Sequence, residues 1–187
     1  MKEMNLKKIV ALCLTAWMLQ SCGASRKATS SDAVNVKELK SMVVIKKKVP
    51  IRNIDVKSVD ANGLVSFAET LIGTPYRYGS MKKKDGFDCS GFINYVFTNF
   101  KISVPRTSSD FTNAGLEVKP GESRRGDIIL FTGSDANSGE VGHMGIITEN
   151  RKDNFTFIHA SSGKGVMFSS LNSYFIPRFV KVIRIFP

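Results

Sequence analysis

The sequence predicts an α+β fold with helices first and antiparallel strands second. Apolar residues recur at helical spacing up to Phe100, whereas from Asp127 onward they come in short runs bounded by glycine and polar turns. Size agrees: 187 residues, 42% hydrophobic and 10% aromatic, give room for one domain plus an appendage. The same figures exclude a disordered chain and a large multidomain assembly.

The elements follow in order. Leu64, Phe67, Ala68, Leu71 and Ile72 sit on one helical face, and Gly73-Thr74-Pro75 stops that helix. Gly79 to Gly86 reads as a polar, Lys-rich loop. Phe92, Ile93, Val96, Phe97 and Phe100 make the broad apolar face of a second helix over Ser90–Phe100. Pro105 and Thr107–Asp110 mark a loop with a short helix after it. Strands are predicted at Asp127–Phe131, Gly142–Thr148, Phe155–Ala160, Gly165–Phe168 and Phe179–Ile185, with a turn at Asn150–Asn154.

Residues 1–21 are expected to be an address rather than structure. Lys2, Lys7 and Lys8 precede an apolar stretch, Ile9–Leu19, which is too short to span a bilayer as a mature helix. Leu19-Gln20-Ser21-Cys22 resembles a bacterial lipobox, with Gln20 the less usual residue. That resemblance implies lipidation of Cys22 after signal cleavage, and hence a membrane-anchored lipoprotein. The short tether and the lack of an acidic pair after Cys22 favour the periplasmic face of the outer membrane. Residues 22–60 are expected to be a basic linker with one short strand at Met42–Ile45, and residues 61–187 the folded domain. The linker leaves no room for a separate wall-binding module.

The chain carries a net charge of +11, but the excess is unevenly placed. Residues 22–58 hold +6, and residues 59–187 only +3. The Lys46-Lys47-Lys48 run reads as solvated surface or as attraction to an anionic surface. No aromatic-basic interleaving of the kind that binds single strands is present, so no nucleic-acid partner is expected.

Of three cysteines, Cys13 lies in the leader and Cys22 at its end, which leaves Cys89 as a lone thiol in an exported domain. Cys89 begins the second helix in Asp88-Cys89-Ser90-Gly91-Phe92. Unpaired amide N–H groups and the helix dipole there are expected to lower its pKa and favour the nucleophilic thiolate. The only histidines, His143 and His159, both fall in strand patterns spaced to suit neighbouring antiparallel strands. One imidazole would partner the thiol and the other would orient the first through its second ring nitrogen. On spacing alone, a packed thiol and two structural histidines stand as the alternative. A zinc site would want a fourth ligand and close-paired spacing such as C-x-x-C, and neither is present, so no metal and no cofactor are expected.

The motifs together resemble those of the NlpC-type cell-wall cysteine peptidases, a branch of the papain-like fold. Gly73-Thr74-Pro75-Tyr76-Arg77-Tyr78-Gly79 is similar to the family's G-T-P-Y-x-Y-G-G segment, with Ser80 where a second Gly often stands. Asp88-Cys89-Ser90-Gly91-Phe92 matches its nucleophile motif, and Pro105-Arg106-Thr107-Ser108 its P-R-T/S-S loop. Gly126-Asp127 with Ile128–Phe131, Gly142-His143-Met144-Gly145-Ile146, and His159-Ala160-Ser161 resemble its later strands in the same order.

The resemblance implies Cys89 as nucleophile, His143 as base and His159 as orienting residue. It implies Tyr76, Asp88 and Ser90 as substrate-side residues, with an acidic group meeting a free amine of the stem peptide. It implies an endopeptidase of peptidoglycan stem peptides, cutting the γ-D-glutamyl–diamino acid bond or a D,D-crosslink. Two other classes compete. An acyltransferase of the same fold would favour an apolar segment beside the site, but the run after Cys89 reads as core. A non-catalytic wall-binding protein would not need Cys89, His143 and His159 intact. Oligomeric state is not legible.

Overall fold

The computed structural model describes residues 54–151 and 154–187. The leader, Cys22, the Lys46–Lys48 run and the strand expected at Met42–Ile45 lie outside them. Helix α1 spans Ala61–Glu69. Asp60 caps it by accepting from the Gly63 N–H at 3.2 Å. Leu64, Val65 and Ala68 turn into the core. The helix stops at Thr70, whose hydroxyl donates to the Phe67 carbonyl at 2.7 Å. Leu71 is therefore buried in the turn after the helix, and Ile72 is exposed. Ahead of α1, Val56 is buried and Ile54 and Val59 pack on the same core.

The polar stretch before Cys89 holds a small hairpin where a plain loop was expected. Strand β1 (Met81–Lys82) pairs antiparallel with β2 (Gly86–Phe87). Fully buried Phe87 anchors it. Its N–H donates to the Pro75 carbonyl at 2.9 Å, and its own carbonyl accepts from the Arg77 N–H at 3.0 Å. Helix α2 follows at Cys89–Asn99, burying Phe92, Ile93, Val96 and Phe97 along the predicted face. A tight helical turn at Ser109–Asn113 fills the place of the expected short helix.

Six strands then form one antiparallel sheet: β3 (Leu116–Val118), β4 (Ile128–Thr132), β5 (Val141–Arg151), β6 (Asn154–Ser161), β7 (Gly165–Ser170) and β8 (Phe179–Arg184). Their spatial order is β3-β8-β4-β5-β6-β7. Strand β3 was not expected; it is short and largely exposed, so it carries no apolar pattern. Alternate residues of β4 face opposite ways. Ile128 and Leu130 join the core under the helices, with Leu64, Phe92 and Phe97. Ile129 and Phe131 join a second core with Phe157, Phe175 and Phe179. This is the predicted α+β fold, with helices packed on a mainly antiparallel sheet.

Candidate active site

Asp88 places the thiol. It caps α2, its carboxylate accepting from the Gly91 N–H, and so makes Cys89 the first helical residue. Gly91 permits the close approach: a Cβ there would press into the Ser80 carbonyl oxygen and lie 2.8 Å from Asp88 Oδ1. The half-buried Cys89 thiol donates to the Gly142 carbonyl at 3.8 Å. Helix α2 thus delivers sulfur to the start of β5, one residue from His143.

The two histidines meet ring to ring. His143 Nε2 is 2.8 Å from His159 Nδ1, with the rings at 85°. Adjacent strands β5 and β6 carry them. Gly145 lets the strands close up, since a Cβ there would come within 3.3 Å of His159 Cβ and 3.0 Å of the Ile158 carbonyl. The far nitrogen of His159, Nε2, is 2.9 Å from Ser169 Oγ on β7. Phe131 stacks on His143 at 6.2 Å, and Phe175 lies against both imidazoles at 6.3 and 5.6 Å.

These surroundings keep the group uncharged. Burial pushes His143 down to about 4. Burial, and then the neighbouring His143, push His159 down to about 3. Burial first, and the Asp88 charge second, push the Cys89 thiol up. The backbone N–H groups of Ser90 and Cys89 and the Arg106 charge act in the lowering direction and lose. The sequence expectation of a lowered thiol pKa is therefore overturned: the helix start contributes as expected, but desolvation and the capping carboxylate outweigh it.

Asp88 and Ser90 are 7% and 5% exposed, and their polar atoms face each other and Arg106. Arg106 Nη2 donates to Asp88 Oδ2 at 2.8 Å; Nη1 donates to Asp88 Oδ1 at 3.3 Å and to Ser90 Oγ at 2.9 Å. Asn94 ties the loop bearing Arg106 to α2, donating to the Ser90 and Pro105 carbonyls at 3.0 and 2.7 Å. Tyr76 bridges Phe87; burial, then the nearby Cys89 and Asp88, push its phenol up. The structure therefore gathers Tyr76, Asp88, Cys89 and Ser90 at one helix start and His143 and His159 beside it.

Arg106 appeared in the sequence only as part of a motif. Ser169 and Phe175 carried no signal there, because only strand register and the turn after β7 bring them to the imidazoles. His143 and His159 direct ring nitrogens at each other, and among the described residues no three His, Cys, Asp or Glu side chains are arranged to hold a metal.

The sequence pattern of the NlpC/P60 family matches residues 73–184. The chain is 39% identical over 115 residues to the probable endopeptidase NlpC of Escherichia coli (strain K12), covering 60% of this chain and 70% of that one. It is 44% identical over 124 residues to the probable peptidoglycan endopeptidase LytE of Bacillus subtilis (strain 168). That likeness covers 66% of this chain but only 34% of the relative. Among solved structures, an NlpC/P60 family protein from Bacillus cereus ATCC 10987 matches with a TM-score of 0.62 at 26% identity, over 71% of this chain and 42% of that one. Every residue of the site lies inside the matched segment.

Proposed function

The chain belongs to the NlpC/P60 family, and from that premise we propose that it is a lipid-anchored cysteine endopeptidase that hydrolyses peptide bonds in peptidoglycan stem peptides. The observation that carries this reading is the 2.8 Å bond between His143 Nε2 and His159 Nδ1, one residue along β5 from the Gly142 carbonyl that the Cys89 thiol meets. It occupies one nitrogen of His143 and leaves Nδ1 as the base.

Cys89 is the nucleophile. The pair starts neutral, so the proton passes from Sγ to His143 Nδ1 as sulfur attacks the scissile carbonyl. His159 holds the imidazole in place and stabilises the imidazolium that forms. Backbone N–H groups at the start of α2 stabilise the oxyanion, with the Tyr76 hydroxyl beside them; such donors are worth about 3–4 kcal/mol each. His143 then returns its proton to the leaving amine. Water, deprotonated by His143, hydrolyses the thioester and restores the thiol.

Tyr76, Asp88 and Ser90 form the substrate side of the site, Asp88 in company with the Arg106 guanidinium, whose side chain is 40% exposed. The scissile bond is the γ-D-glutamyl–diamino acid bond or a D,D-crosslink. Cys22 supplies the membrane anchor, on the periplasmic face of the outer membrane.

The test is incubation of the soluble 23–187 form with purified peptidoglycan, with mass spectrometry of the released peptides and Cys89→Ala in parallel. New fragments from the wild type alone support the proposal and name the bond. Fragments from both proteins would overturn Cys89 as nucleophile, and a folded, thiol-reactive wild type that releases none would overturn the substrate.

A further inference from the structure

Ser169 is the residue that the reaction just described does not use. Its Oγ lies 2.9 Å from His159 Nε2, at the far end of the hydrogen-bonded chain that begins at His143. His159 is 3% exposed. Phe157 and Phe175 flank its ring at 5.2 and 5.6 Å. A ring N–H left unpaired among these groups would be a buried, unmet donor.

The direction of each hydrogen bond follows from the charge on His143. A neutral imidazole has one donor and one acceptor nitrogen, but an imidazolium has two donors. Once His143 has taken the thiol proton, its Nε2–H must donate to His159 Nδ1. His159 Nδ1 must then be bare, and its own proton must sit on Nε2. That N–H points at Ser169 Oγ, which must accept it. The same polarity is needed earlier, because His143 can take a proton only when its Nδ1 is bare and its own proton is on Nε2. In the opposite polarity Ser169 donates, His159 Nδ1–H donates to His143 Nε2, and His143 holds its proton on Nδ1, where the base must be empty.

We propose that Ser169 is a positioning residue of the active site: its hydroxyl accepts the His159 Nε2–H bond and thereby fixes the tautomer of His159 that lets His143 act as a base. The proposal rests on the peptidase reading for its role in turnover, but not for the tautomer it assigns. Cooperative polarisation along the chain makes His159 Nδ1 a better acceptor while Ser169 holds its Nε2–H. Loss of the hydroxyl therefore weakens the stabilisation of the His143 imidazolium and does not touch substrate.

The experiment uses the full-length protein in detergent, labelled with ¹⁵N-histidine. In the wild type, the ring nitrogens of His159 are expected to show the Nε2–H tautomer; the Nδ1–H tautomer would overturn the proposal without any variant. Ser169→Ala is expected to lower kcat roughly tenfold or more, in line with an unmet buried donor, with KM within about twofold. Ser169→Thr, which keeps the hydroxyl, is expected to restore kcat. Equal kcat for Ser169→Ala and wild type, or failure of a folded Ser169→Thr to exceed Ser169→Ala, would overturn it. If Ser169→Ala does not fold, the wild-type tautomer and the activity of Ser169→Thr decide. Alkylation of Cys89 by iodoacetamide separates the two readings. A wild type inert to wall peptides, whose alkylation still slows severalfold in Ser169→Ala, overturns the substrate and keeps the relay. Normal cleavage that is indifferent to Ser169 overturns the relay alone.

Discussion

Arg106 grips Asp88 through both terminal nitrogens, at 2.8 and 3.3 Å, while the same carboxylate caps the helix that begins with Cys89. One buried acid therefore holds the helix of Cys89, the loop after it and the charge felt by the sulfur. Arg106 offsets the cost of burying that charge. The offset is incomplete at Cys89, where Asp88 still pushes the thiol up.

Asp88→Asn separates the cap from the charge. Asn caps nearly as well as Asp, so the helix start is expected to survive. Removing the negative charge stabilises the thiolate, and Arg106 is left to act on it uncompensated. The Cys89 thiol pKa is expected to fall, read as an acid shift of the midpoint in alkylation rate against pH. An unchanged midpoint would mean that burial alone sets the thiol. Asp88→Ala loses the cap as well and is expected to cost about 1 kcal/mol more in urea unfolding.

Gly91→Ala tests whether close packing sets the position of the thiol. Alanine is the better helix former by about 1 kcal/mol. Against that, its Cβ would press into the Ser80 carbonyl and the Asp88 carboxylate, and backbone yields poorly. Overpacking of this kind costs about 1–3 kcal/mol, so the sterics are expected to win. The variant should unfold at lower urea and alkylate more slowly at Cys89. A stabilised variant with unchanged alkylation would show that the hairpin before Cys89 is free to move.

Cys22→Ala tests the anchor, which rests on the leader sequence alone. With the leader still cleaved, the variant is expected in the soluble fraction of a cell lysate and the wild type in the membrane fraction. A processed variant that stays with the membranes would rule out acylation at Cys22 as the tether.

Much of this was legible in the sequence, for physical reasons. The α2 face was legible because Phe92, Ile93, Val96 and Phe97 keep helical spacing on a helix that packs on one side. The pairing of His143 with His159 was legible because two strand patterns close together in sequence pair antiparallel, which fixes which residues become neighbours. The β1–β2 hairpin was not, since Met81 and Lys82 are exposed and buried Phe87 alone holds it. Nor was Ser169, whose meeting with His159 depends on the β6–β7 register. The sign of the Cys89 shift was missed because helix position is written in sequence and desolvation is not.

Buried His159 and half-buried His143 weaken the fold in acid. In the unfolded chain both take protons near the ordinary value of about 6.5. In the folded protein His143 stays neutral to about 4 and His159 to about 3. Within that window the unfolded chain binds more protons, so stability falls as pH falls. The contribution is intact above about 6.5. It is lost once pH has dropped through about 4 for His143 and about 3 for His159. Each histidine adds at most about 1.4 kcal/mol per pH unit. Urea unfolding at a series of pH values from neutral down to about 4 is expected to show this slope in the wild type. His159→Asn, which does not titrate there, is expected to have a shallower slope by up to that amount. Identical slopes in the two proteins would mean that His159 is protonated in the folded state, and the neutral imidazole pair described here would be wrong.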